Sequence, residues 1–151
     1  MRVYLVIMDE TEEALVAMRF AVRRAAKTDG VVHLLALVPT QPFVAFGGVQ
    51  ATIDEEARSR AEVIVTSAAG NILSEGGQMP MIAVRSGEDT KVVRAYLDEH
   101  PEVAALVLGA AKDGVPGPLI AHFAGPGAGT MPCPLFIVPG SLSEADIDRL
   151  S

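Results

Sequence analysis

Short, uninterrupted apolar runs alternate along this chain with longer segments whose apolar residues recur at helical spacing, and that alternation leaves few folds open. Arg2–Met8 (VYLVIM after the Arg), Val31–Val38, Met81–Arg85, Val103–Leu108 and Leu135–Val138 read as five strands. A strand that is apolar throughout, rather than at every second residue, is buried on both faces and needs helices above and below it. Thr11 is a fair N-cap for a first helix, with Glu12 and Glu13 in its first turn and Arg19, Arg23, Arg24 and Lys27 further along, an order that suits the helix dipole. Leu15, Met18, Val22 and Ala25 form its apolar stripe, and Gly30 is expected to close it as a C-terminal glycine.

A second helix is expected from Thr52 to Glu75, with Ile53, Ala57, Ala61, Ile64, Ala68 and Ile72 on one face, and a third from Glu88 to Glu99. A short helix over Leu119–Ala124 and a terminal one, opened by the capping-box-like Ser143–Asp146, complete the reading. Strands alternating with helices give an α/β fold, and right-handed crossovers make it a doubly wound parallel sandwich. Ligands in such sheets bind at the carboxyl ends of the strands where the winding reverses. The segments to inspect are therefore Asp9–Thr11, Val38–Phe43, Ser86–Glu88 and Gly109–Pro118.

Composition narrows the function. A chain of 151 residues is one domain, and 50% hydrophobic with 21% charged residues excludes a disordered chain. The net charge of −7 and the lack of any Lys/Arg run argue against nucleic acid and acidic membrane surfaces as partners. No apolar stretch reaches the ~18–20 residues of a membrane span, and the opening residues lack the layout of a secretory signal. The single cysteine, Cys133, forbids an internal disulfide, so the expected location is cytoplasmic. Cys133 reads as a small buried hydrophobe rather than a catalytic thiol, and His33, His100 and His122 have no metal-ligand spacing around them.

Among candidate site residues, Asp9 follows a central strand, where it accepts hydrogen bonds from a ligand, caps the first helix, or does both. Glu10, Glu12 and Glu13 read as a solvated, dipole-matching turn. Phe43, Val44 and Phe46 either cover a ligand or partner or fold back onto the end of the sheet. Pro118 at a helix start leaves the N–H groups of Leu119, Ile120 and Ala121 facing outward, which is either an anion site or only a rigid turn.

The wording of these segments resembles the universal stress protein family: VIMDETEEA after strand one, RSGED at the end of strand three, AALVLGA at strand four and MPCPLFIVP leading into strand five. The resemblance covers residues 1–139 as one domain and leaves 140–151 as a C-terminal tail with a short helix. It implies a Rossmann-like sandwich of five parallel strands in the order 3-2-1-4-5. It also implies a homodimer through the last strand (Leu135, Phe136, Ile137, Val138) and adenine-nucleotide binding, of ATP or AMP, in many members. Asp9 and Thr11 match the family's Asp-x-Ser/Thr, Val38 the strand-two end whose backbone reads adenine, and Gly109 the first glycine of a G-x2-G-x9-G-[ST] phosphate loop.

The rest of that loop departs from the family. Lys112 stands where the second glycine belongs, and the last pair falls near His122–Phe123. A literal match at Gly114, Gly117 and Gly127 begins too far beyond strand four. Glycine lets backbone approach a phosphate closely, which lysine restricts. Lys112 either contacts a phosphate with its ammonium group or is a solvated lysine beside Asp113. The expected function is a non-catalytic stress-response or signalling domain with weak or non-standard binding of AMP or another small anion. The alternatives are an ATP-binding member or a weak nucleotide hydrolase using Asp9 and Lys112. The segment Leu142–Leu150 either lies over a neighbouring subunit or hangs free.

Overall fold

The structure, a computed structural model, describes residues 1–39 and 47–151, with backbone alone over 47–51. Phe43, Val44 and Phe46 fall outside the described residues. The elements are β1 (Arg2–Met8), α1 (Glu12–Lys27), β2 (Gly30–Pro39), α2 (Gly47–Ser74), β3 (Met81–Gly87), α3 (Asp89–Glu99), β4 (Val103–Ala110), α4 (Pro118–Phe123), a 3-10 turn (Ala128–Thr130), β5 (Leu135–Pro139) and α5 (Glu144–Leu150). All strands pair in parallel, in the order β3-β2-β1-β4-β5. This is the doubly wound sandwich that the apolar runs require, with the strand order that the resemblance implies.

Alternation within β1 explains the two helical layers. Tyr4, Val6 and Met8 join the core under α1 and α2, whereas Val3, Leu5 and Ile7 join the core under α3 and α4. The winding therefore reverses between β1 and β4, and a cleft opens where their carboxyl ends part. The sheet-facing side of α1 is Ala14, Ala17, Met18, Ala21 and Ala25. Leu15, expected inward, is 47% exposed, and Val22 is half-buried. Small side chains let α1 approach the sheet closely, and that rotates its larger aliphatic residues to the flank facing α2.

The end of α1 also differs from expectation. Thr28 is its C-cap, and Asp29 takes the left-handed conformation at φ 53°. Gly30 instead opens β2 opposite Arg2, where a Cβ would lie 2.7 Å from the Arg2 carbonyl oxygen. Helix α2 begins at Gly47 rather than Thr52, since glycine is tolerated at a helix end far better than in its interior.

The capping box of α5 forms as expected: Ser143 Oγ accepts from the Asp146 N–H, and the Asp146 carboxylate accepts from the Ser143 N–H. The helix lies on α1 of its own chain. Ile147 is 1% exposed, Arg23 pairs with Asp148 at 3.0 Å, Arg19 pairs with Glu144, and Lys27 Nζ donates to the Asp148 carbonyl at 2.6 Å. Leu142–Leu150 therefore does not hang free, with Ile147 buried in the chain's own fold and Leu150 left 49% exposed.

Helix α3 is held on β2 and β3 by an aromatic cluster. His33 is buried, its Nδ1 2.9 Å from the Tyr96 hydroxyl. The His100 ring stacks on Tyr96 at 4.0 Å, and Arg85 lies 5.0 Å over the same ring while pairing with Glu99. Burial first, and His100 second, lower the His33 pKa below its ordinary 6.5, with Glu102 opposing; burial raises that of Tyr96. A histidine whose folded pKa is depressed favours the fold above its unfolded pKa and loses that contribution as pH falls through the folded value. Denaturant melts should therefore show stability dropping below pH 6.5. The slope from one proton approaches about 1.4 kcal/mol per pH unit. His33→Gln should flatten this slope; an unchanged slope would assign the effect elsewhere.

Candidate functional site

The site grows out of the β1–α1 junction. Asp9 leaves the end of β1, and its Oδ1 accepts from both the Thr11 N–H at 2.9 Å and the Thr11 hydroxyl. Thr11 Oγ1 in turn accepts from the Ala14 N–H at 3.2 Å, which makes it the N-cap of α1. Asp9 thus orients the cap and is itself exposed at the cleft.

The first turn of α1 is wedged between the ends of β4 and β5. A Cβ on Gly109 would sit 2.1 Å from the Glu13 carbonyl oxygen. One on Gly140 would sit 2.7 Å from the Ala110 carbonyl oxygen and 3.1 Å from Glu13 Cβ, and the Gly140 N–H donates to Ala110 at 2.6 Å. Gly109 is therefore demanded by backbone packing, apart from any ligand. Gly140 went unremarked in the sequence; its signal was a glycine directly after the last strand.

In front of this wedge lies a cavity of about 410 Å3, within the range of small-molecule sites. Ile7, Met8, Leu37, Leu108, Leu119 and Ile120 supply its apolar wall, and Asp9, Glu13 and Asp89 its acidic groups. Of the residues singled out in the sequence, Asp9, Thr11 and Gly109 line it together with Pro118, Leu119 and Ile120. Val38 is buried with its side chain in the core under α1 and α2, while its neighbours Leu37 and Pro39 line the cavity. Lys112 is exposed on the loop after β4 and is not part of the wall. Glu13, expected to be solvated, is half-buried and lines the cavity, as does Asp89 at the start of α3.

An adjoining pocket of about 240 Å3 continues past Asp9 and Pro39 to Ala57, Arg60 and Ile64 of α2, with Arg60 4.0 Å from Glu10. At the start of α4 the Ala121 N–H, expected to face outward, donates to the Gly117 carbonyl at 3.0 Å. Cys133 packs against the core under α3 and α4, and burial pushes its thiol pKa up, so it is not poised as a thiolate. Among the described residues no three His, Cys, Asp or Glu side chains are grouped to hold a metal ion, and no helix is long and apolar enough to cross a membrane.

The sequence pattern described as "Universal stress protein family" matches residues 1–139. The chain belongs to the universal stress protein family. Solved structures share its fold. Universal stress protein UspA from Lactobacillus plantarum is 17% identical, with 91% of this chain and 97% of that one covered at a TM-score of 0.73. A family protein from Arabidopsis thaliana with AMP bound is 12% identical, with 97% and 99% covered at 0.61. The universal stress protein from Archaeoglobus fulgidus in complex with dAMP is 17% identical, with 91% and 97% covered at 0.62. No curated protein matches the chain by sequence. Asp9, Thr11 and Gly109 thus stand together at the switch point between β1 and β4, with Glu13 and Asp89 on the same cavity wall.

Proposed function

We propose that this universal stress protein is a non-catalytic, cytoplasmic stress-response or signalling domain whose cleft holds the adenosine part of an adenine nucleotide weakly, AMP in preference to ATP. The observation that carries the reading is the cavity of about 410 Å3 at the switch point, walled by Asp9, Thr11 and Gly109 in a fold whose solved relatives include AMP-bound and dAMP-bound proteins. Apolar side chains would receive the base, the backbone around Val38 would read its edge, and Asp9 would accept from ribose hydroxyls. Lys112 is exposed on the loop after β4, beside the wall residue Ala111.

The domain is further proposed to dimerise through Leu135, Phe136, Ile137 and Val138. In support, β5 pairs only with β4 among the described residues, and Ile137 is 43% exposed on this open edge. Calorimetric titration tests the first part: AMP should bind detectably and more tightly than ATP, and Asp9→Ala should abolish binding. Steady ATP turnover lost in Asp9→Ala would establish the hydrolase instead. Light scattering at micromolar concentration tests the second, with twice the 15.8 kDa chain mass expected.

A further inference from the structure

We infer that the cavity selects an uncharged purine nucleoside, and that each phosphate added to it weakens binding. This rests on the adenosine-binding reading above and names the ligand class that the site prefers. Three acidic residues, Asp9, Glu13 and Asp89, line the cavity, and no Lys, Arg or His does among the described residues. Residues 40–46, which follow β2, read TQPFVAF and bring no cation. Lys112 is exposed, off the wall and next to Asp113 in sequence. Arg60 belongs to the adjoining pocket and is matched there by Glu10.

The positions of the acids make this more than a general negative field. Glu13 is half-buried, with its main chain pressed against Gly109 and its Cβ beside Gly140. Asp89 is half-buried at the start of α3, across the cavity from α1. Asp9 is tied to Thr11. A phosphate brought into this space meets like charge from more than one wall, in partly desolvated surroundings where repulsion is stronger than in bulk water. A neutral nucleoside faces none of this repulsion. Its hydroxyls and exocyclic amine are donors, and carboxylates accept from donors.

The test is titration of the full chain with adenosine, AMP and ATP at low and at physiological ionic strength. Adenosine should bind at least about tenfold more tightly than AMP, with ATP weaker still, and the gap should narrow as salt screens the acids. The double substitution Glu13→Gln with Asp89→Asn should drive the adenosine-to-AMP affinity ratio toward one. Should that variant not fold, the wild-type ranking and its salt dependence decide. AMP binding as tightly as adenosine, or a ratio indifferent to salt, overturns the selectivity and leaves the adenine-binding reading standing. Binding of none of the three overturns both.

Discussion

Gly109→Ala is expected to lower the stability of the domain by about 3 kcal/mol or more and to remove ligand binding with it. The added methyl would lie 2.1 Å from the Glu13 carbonyl oxygen, and the obstructing atom is backbone in the first turn of α1, so no side-chain rotation relieves the clash. Overpacking of a close-packed interior costs about 1–3 kcal/mol, more when backbone must shift. Here relief means moving the α1 turn that carries Thr11 and Glu13. In a chain of this length a loss of that size lowers Tm by about 6–12 °C. Gly129→Ala is the matched control, because a Cβ there has nothing within 4 Å. Thermal melts by circular dichroism should separate the two clearly. Equal melts would mean that β4 and α1 do not approach as described.

The second large effect is expected at the tail. Ile147→Ala should destabilise the domain by about 2–4 kcal/mol, the usual loss for truncating a fully buried isoleucine. Ending the chain after Leu142 should cost at least as much. Asp148→Asn should cost under about 1 kcal/mol, since the Arg23–Asp148 pair is solvent-exposed on both sides. The ion pairs to α1 give α5 its register, and the apolar anchor gives it most of its stability. Denaturant melts of the three variants check the order, and an Asp148 effect larger than that of Ile147 would reverse this assignment. Residues 140–151 are thus proposed to be part of the folded unit rather than an appendage to 1–139.

The strands were legible because burial on both faces writes itself as an unbroken apolar run, and five such runs define the sandwich. The facing of α1 was not, because an apolar stripe reports hydrophobicity, whereas the sheet selected the alanine side for closeness of approach. Asp29 was overlooked for the same kind of reason: glycine is the usual left-handed residue, but Gly30 was committed to a tight contact with Arg2. In the site, Asp9 was legible from its place after a central strand, and Thr11 and Gly109 from the resemblance to the family's motifs. Glu13 and Asp89 were hidden because acids in a first helical turn satisfy the helix dipole wherever they stand. Only packing shows that these two face a cavity.

The wedge of α1 between Gly109 and Gly140 bears on how relatives should be read. A glycine at the end of the fourth strand is the seat of a helix, required whether the cleft is filled or empty. In this chain Gly109 therefore carries no information of its own about nucleotide chemistry. That information begins with the residues beyond it, and Gly140 after the fifth strand marks the same seat from its other side.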